Sequence, residues 1–144
     1  MPKTATARKA ASSRTSRSGA KRGPVVVSHP AGKDFKPDGL RPYFLYRDLG
    51  IDRATKGRFG AHVIRAREAM RGGQGRHSHA LGFQLVYLLK GKARFWYDGF
   101  GAVDMVAGSS VYQPPGIRHE MLSCSKSCEI LEITMPAEFA TRAA

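Results

Sequence analysis

The sequence is poor in cysteine and contains no long hydrophobic run. Its 144 residues include only two cysteines, Cys124 and Cys128, too few for the disulfide framework that stabilises small secreted domains. The pair flanks a predicted hairpin turn, where the thiols either stay free in a reducing compartment or lie close enough for one disulfide. No apolar stretch approaches the roughly 20 residues that cross a membrane, and no apolar segment near the N-terminus is typical of a secretory signal. These absences predict a cytoplasmic protein with no membrane partner.

Acidic residues are absent from the start of the chain. Residues 1–23 contain seven Lys/Arg and no Asp or Glu, within a formal net charge of +13 for the whole chain. A polar segment without apolar periodicity cannot bury enough surface to offset the entropy of ordering it. We therefore predict a disordered basic tail over residues 1–23 and one folded domain over residues 24–144.

The basic tail has no aromatic residue that could stack on bases. We expect it either to bind nucleic acid weakly and non-specifically or to act only as a solubilising arm. Its Arg- and Ser-rich, acid-poor composition also resembles an organelle transit peptide, but no clear amphipathic stripe supports that alternative.

Short β-type segments separated by turn residues fill most of the remaining chain. Turn signals recur about every 8–12 residues, which is typical of an antiparallel sandwich or barrel. The predicted strands cover residues 43–48, 61–67, 83–89, 93–98, 103–106, 110–113, 118–123 and 129–135. The strand at 83–89 is apolar at both parities, so we expect both of its faces to be buried. Residues 25–27 are expected to form an extended arm packed on the body or on a second subunit, and only residues 137–141 suggest a helical turn.

Three histidines are spaced so that strands can bring them together. His77 and His79 are two residues apart, so on one strand both imidazoles point to the same face. His119 follows Pro114-Pro115-Gly116, a stiff turn that fixes the direction of the next strand. Inward positions of neighbouring strands converge in a small barrel, so these imidazoles can meet at one divalent ion. The alternative is three unrelated core histidines. Imidazole does not choose among Fe, Mn, Zn and Ni.

Two motifs with regular spacing lie in the segment from Gly73 to Met135. The first motif reads His77-Ser78-His79, four residues, Gln84, six residues and Gly91. The second motif reads Gly108, five residues, Pro114-Pro115-Gly116, two residues, His119, three residues and Ser123. In these spacings the segment resembles the cupin superfamily, although Gln84 stands where that family usually has glutamate and Ser123 where it has asparagine. The resemblance implies an all-β fold, a small antiparallel β-barrel of the cupin or jelly-roll type, a metal held by His77, His79, Gln84 and His119, and a homodimer.

Gln84 is the informative departure from the cupin pattern. A glutamine offers a neutral carbonyl oxygen, so the ligands would leave the charge of a divalent ion uncompensated. Such an ion is a strong Lewis acid and attracts an anionic substrate. The alternative is that Gln84 only hydrogen-bonds a metal-bound water.

The alternation of side-chain direction along each strand predicts further pocket residues around the ion. The expected apolar pocket residues are Val86, Leu88, Phe95, Tyr97 and Met121. Tyr97 is a candidate proton donor, although the simpler interpretation is that it only forms part of the pocket wall. His62 is a candidate acid/base group that can equally lie on the surface.

A metal-dependent enzyme acting on a small polar or anionic molecule is the function that these features favour. A dioxygenase is the leading form, because the resemblance extends to cupin dioxygenases with three-histidine iron sites. A metal-dependent isomerase or lyase is the first alternative. A non-catalytic module that binds or senses a small molecule is the second, since one fold hosts many chemistries.

Overall fold

A computed structural model describes residues 22–31, 34–37 and 39–144. Ten strands and one short helix follow each other along this part of the chain. Their bounds are β1 Phe44–Asp48, α1 Ile51–Ala54, β2 Gly60–Ala66, β3 His77–His79, β4 Phe83–Lys90, β5 Lys92–Tyr97, β6 Gly101–Val106, β7 Ser110–Tyr112, β8 His119–Cys124, β9 Glu129–Met135 and β10 Thr141–Ala143. The predicted all-β class and most of the predicted strands are confirmed.

Two five-stranded antiparallel sheets make up the fold. One sheet has the order β1-β2-β9-β4-β7, and the other has the order β10-β3-β8-β5-β6. Strands that are neighbours in space are often distant in sequence, as β4 and β9 are, which is the jelly-roll arrangement. The predicted barrel of the jelly-roll type is therefore confirmed.

The core lies between the two sheets and follows the period of two along each strand. On β5 the alternate residues Ala93, Phe95 and Tyr97 are buried, as their spacing predicts. Together with Leu88 and Ile130 from the other sheet they form one hydrophobic cluster. Burial of these apolar side chains is the main favourable term in folding.

Strand β4 is buried on one face only, so the prediction of two buried faces is wrong. Gln84, Val86 and Leu88 point inward, whereas the side chains of Tyr87 and Leu89 are 38% and 43% exposed. The apolar run is continuous in sequence, but a second sheet covers only one face of β4. The side chains on its other face therefore stay in contact with solvent.

The predicted helical turn at residues 137–141 is also wrong. Thr141–Ala143 instead forms β10, which pairs with β3 and sets Thr141 opposite His79. Pairing with an open sheet edge satisfies the backbone of this segment better than an isolated helical turn would. This strand places Thr141 beside the candidate ligands.

The segment before β1 runs along the surface. Val25 and Val27 are 92% and 68% exposed, and the guanidinium of Arg47 donates a hydrogen bond of 2.8 Å to the Ser28 hydroxyl. Packing of this arm on a second subunit stays a prediction.

Residues 1–21 of the predicted disordered tail lie outside the described residues, and the domain boundary near residue 23 stays a prediction. Within the described ranges, no helix is long and apolar enough to cross a membrane.

Candidate metal centre

The two histidines of the His-Ser-His motif lie side by side on β3. His77 and His79 are buried, and Ser78 between them is only partly buried. Strand β8 pairs with β3 so that His119 stands directly opposite His77. Directly opposed residues of an antiparallel pair project to the same face, so all three imidazoles enter the interior from one sheet.

The three rings form a compact triangle. Their centroids are separated by 4.9 Å for His77–His79, 4.5 Å for His77–His119 and 5.0 Å for His79–His119. The potential ligand atoms all lie within 4.8 Å of one another. Metal–nitrogen bonds are about 2.0–2.1 Å long, so small ring rotations suffice for all three atoms to reach one ion. The donor set therefore fits a divalent metal.

Hydrogen bonds at the outer ring nitrogens fix how the imidazoles face the interior. Nδ1 of His77 donates to the carbonyl oxygen of Gly75 at 2.9 Å, and Nδ1 of His119 donates to that of Ile117 at 3.0 Å. A carbonyl only accepts, so each of these rings carries its hydrogen on Nδ1 and leaves the Nε2 lone pair free. Nδ1 of His79 lies 2.8 Å from the Thr141 hydroxyl. Such outer partners orient ligating histidines in metal sites.

Burial keeps the three imidazoles neutral. It lowers the pKa of His79 to about 3, and the charges of His119, His77 and Arg41 act in the same direction. It lowers the pKa of His119 to about 4, against the opposing effect of the hydrogen bond to Ile117. The pKa of His77 is also lowered, chiefly by burial. Neutral imidazole is the form that binds metal, so the site does not need to lose protons near neutral pH.

These lowered pKa values predict an acid-sensitive fold once the metal has been removed with a chelator. In the unfolded chain the histidines take up protons below about pH 6.5, whereas in the folded protein His79 and His119 do so only near pH 3–4. The unfolded state therefore binds more protons between these limits, and stability must fall as the pH is lowered from 7 to 5. Urea unfolding across this range measures the slope.

Two histidine variants test whether the buried imidazoles cause this dependence of the unfolding free energy on pH. A His79→Gln/His119→Gln protein should show a flatter dependence on pH, while His29→Gln, in the exposed segment, should keep the wild-type slope. A stripped wild-type protein whose stability is constant between pH 7 and 5 would contradict the expectation.

Gln84 reaches the interior from the opposite sheet. Its side chain is 2% exposed, and its Nε2 donates a hydrogen bond of 3.0 Å to the carboxylate of Glu132 on β9. Because the amide nitrogen is committed to Glu132, the carbonyl oxygen is the atom left for other partners. Burial raises the pKa of the Glu132 carboxyl, and the hydrogen bond from Gln84 and the charge of His62 oppose this rise.

A Gln84→Glu substitution tests whether this side chain ligates the metal. We expect the affinity for a divalent ion to rise by about tenfold or more, because a carboxylate ligand adds negative charge next to the ion. The new carboxylate would also face that of Glu132, so the metal-free variant should melt at a lower temperature than the wild type. Competition with a chromophoric chelator measures the affinity.

A charge-transposed variant provides the control for Gln84→Glu. In Gln84→Glu/Glu132→Gln the hydrogen bond is retained with donor and acceptor exchanged, so the melting temperature of the metal-free protein should recover. Unchanged metal affinity in both variants would place Gln84 outside the set of ligands.

A small cavity opens beside the three histidines. Its volume is about 220 Å³. Its lining residues come from both sheets and from the segments that flank them: Leu40, Arg41, Phe44, Tyr46, Ile64, Gln74, His77, His79, Gln84, Val86, Phe95, Gln113, His119, Met121, Ile130, Glu132, Phe139 and Thr141. Most of the wall surface is apolar, and polar groups from both sheets interrupt it, as is usual in a small-molecule site.

The predicted pocket residues separate into two groups. Val86, Phe95 and Met121 line the cavity. Leu88 and Tyr97 do not, although all five residues are buried. The Tyr97 hydroxyl accepts a hydrogen bond of 2.7 Å from Gln113, and its ring stacks against His119. Tyr97 therefore packs behind a candidate ligand.

His62 lies outside this cavity. Strand pairing sets it opposite Glu132 on one side and Asp48 on the other. It lines a second cavity with residues of β1 and of the segment before β1. His62 therefore neighbours Glu132 but does not line the cavity of the three histidines.

Arg41, Glu132 and Thr141 are among the polar residues of the site that sequence reasoning missed. Glu132 carried a usable signal, because it shares strand parity with Ile130 and Thr134, which are buried. A charged residue at an inward position is costly unless it has a partner. Arg41 lies in a loop and Thr141 in an edge strand, where no periodicity marks the direction of a side chain.

The two cysteines lie away from the site. Both are free and buried, and burial raises the pKa of each thiol, to about 12 for Cys128. They stand at the β8–β9 connection, at the opposite end of β8 from His119.

Solved structures with the same fold have several different activities. KdgF from Halomonas sp. aligns with a TM-score of 0.59 at 13% identity, covering 73% of this chain and 89% of its own. The polyketide cyclase RemF from Streptomyces resistomycificus aligns with a TM-score of 0.63 at 18% identity, covering 82% and 85%. A salicylate 1,2-dioxygenase from Pseudaminobacter salicylatoxidans aligns with a TM-score of 0.59 at 9% identity, covering 75% of this chain and 32% of its own. At such identities these likenesses show the fold alone.

Sequence comparison gives the family. No curated protein sequence matches the chain. The family model described as the cupin domain matches residues 68–134, the segment that contains all three histidines, Gln84 and Glu132. The chain belongs to the cupin superfamily.

Proposed function

We propose that this cupin is a metal-dependent dioxygenase acting on a small polar or anionic substrate. His77, His79 and His119 hold one divalent ion, Fe(II) or Mn(II) in this proposal, with Gln84 as a further ligand. The observation that carries the proposal is the convergence of three neutral imidazoles, oriented by hydrogen bonds at Nδ1, beside a mostly apolar cavity.

The ion would supply Lewis acidity and the redox chemistry that oxygen activation requires. The chain supplies the rest of the site. Gly75, Ile117 and Thr141 orient the imidazoles, and Glu132 holds the Gln84 amide. Val86, Phe95 and Met121 exclude water from one side of the bound substrate.

Oxygen uptake coupled to loss of substrate tests the reaction. The purified protein is loaded with Fe(II) or Mn(II), and gentisate and salicylate are suitable first probes. Gentisate is a ligand of the salicylate 1,2-dioxygenase with the same fold. We expect turnover that stops when O₂ is removed, and none with the His119→Ala protein. Turnover that persists without O₂ would eliminate the dioxygenase.

An isomerase or lyase is the second candidate, and Glu132 is the observation that favours it. A carboxylate that lines the cavity is a group that can take a proton from a carbon beside a carbonyl, which isomerisation and elimination require. Anaerobic turnover that is lost in Glu132→Gln, with metal content retained, would establish this class.

The proposal also includes a cytoplasmic homodimer. Two buried free thiols suit a reducing compartment. The exposed valines of residues 25–27 suit contact with a second copy of the chain. Light scattering of the full chain, compared with a Val25→Ser/Val27→Ser variant, tests the dimer.

A further inference from the structure

Arg41 is a positive side chain in the wall of the cavity beside the three histidines. Among the lining residues that the structure describes, it is the only Lys or Arg, and Glu132 is the only Asp or Glu. Glu132 is engaged by Gln84, as described above. A ligand in this cavity would therefore meet the charges of Arg41, of Glu132 and of the ion.

Arg41 has no ionic partner within the described ranges. The ion pairs found there engage Arg47, Arg65, Arg76, Arg94, Arg118 and Lys126. Arg65 and Arg76 also stack on the rings of Phe35 and Trp96 at 3.8 Å. Arg41 is half-buried without either kind of contact. A partly desolvated guanidinium without a counter-charge gains free energy from any anion that it can reach.

The backbone holds Arg41 at the edge of the cavity. Its amide N–H donates a hydrogen bond of 3.1 Å to the hydroxyl of Tyr46, another lining residue. The backbone of Tyr46 is itself paired with that of Lys36 through hydrogen bonds of 2.8 and 2.9 Å. Pro42 follows and restricts the conformation of Arg41.

Arg41 and the three candidate ligands line the same cavity. An anion bound between Arg41 and the triangle of imidazoles would therefore be attracted by the guanidinium on one side and by the ion on the other.

We propose that Arg41 is the specificity-determining residue of the site and binds the oxyanion group of the substrate. The substrate class is thus a small molecule with a carboxylate or a phosphate group. This inference rests on the proposed metal-dependent function of the same cavity. The planar guanidinium can donate two parallel hydrogen bonds to such a group, which a lysine cannot do.

Binding of three related probes to the full chain tests the role of Arg41. Benzoate, phenyl phosphate and benzamide share a ring and differ in the polar group. Calorimetric titration into the metal-loaded protein should give at least about tenfold tighter binding for one anion than for neutral benzamide. The tighter of the two anions assigns carboxylate or phosphate.

Two variants of Arg41 and one control variant test whether the preference for an anion over benzamide depends on Arg41. Arg41→Gln should abolish the preference for the anion, and Arg41→Lys should recover part of it. Metal content by elemental analysis should match the wild type in both. Arg142→Gln, on the exposed side of β10, should keep wild-type anion binding.

The proposal is overturned if benzamide binds the wild type as tightly as both anions, if neither anion binds at millimolar concentration, or if Arg41→Gln retains the preference. Failure of the proposed function appears separately, as a wild-type protein that takes up no metal. In that case an anion preference of the metal-free protein that is lost in Arg41→Gln still supports the Arg41 site.

Discussion

Replacing His119 with alanine is expected to remove most of the bound metal. His119 is one of three buried imidazoles whose potential ligand atoms lie within 4.8 Å of one another, and it is the only one of them on β8. Its loss leaves two imidazoles from a single strand and the weak oxygen of an amide. We expect the affinity for a divalent ion to fall by about 100-fold or more, since the loss of even an outer partner costs 10–100-fold. Elemental analysis of the purified variant measures the residual occupancy.

His62→Ala is the matched control for His119→Ala. His62 is also a strand residue, but it lines a different cavity. Its replacement should leave the metal content at the wild-type level. Full occupancy in His119→Ala would refute the proposed metal site, and equal loss in both variants would indicate a general effect on folding.

Replacing Leu88 with alanine is expected to lower the free energy of unfolding by about 2–5 kcal/mol, the usual cost of such a truncation in a core. Leu88 is fully buried between the sheets and packs in the same cluster as Ile130 and Phe95. The alanine leaves a space that the surrounding strands cannot fill completely. Urea unfolding of the metal-free protein isolates this cost from any change in metal binding.

Leu89→Ala provides a comparison on the same strand. Leu89 is 43% exposed, so its truncation should cost less than about 1 kcal/mol. A loss of equal size in the two variants would show that Leu88 is not part of a tightly packed core. Had Leu88 lined the cavity, as its parity suggested, its truncation would have enlarged the pocket at a smaller cost in stability.

Strand parity predicts the direction of a side chain but not its depth. Leu88 and Val86 have the same parity on β4, yet only Val86 reaches the cavity. Depth depends on how the second sheet covers the first, and no short stretch of sequence contains that information. The same limit applies to Tyr97, whose ring stacks on that of His119 but does not line the cavity.

The histidine triangle was predictable because it depends on local spacing and one strand pairing. The period of two aligns His77 with His79, and the turn before β8 brings His119 opposite His77. Arg41 and Thr141 were not predictable in this way. Each acts through a loop or an edge strand whose position follows from the completed fold.

The candidate ligands are divided between the two sheets, and this division has a consequence for local unfolding. The three histidines belong to β3 and β8, whereas Gln84 and its partner Glu132 belong to β4 and β9 of the other sheet. An ion held by the histidines alone would slow amide hydrogen exchange mainly in β3 and β8. An ion that also binds Gln84 would link the sheets, and the slowed exchange would extend to β4 and β9.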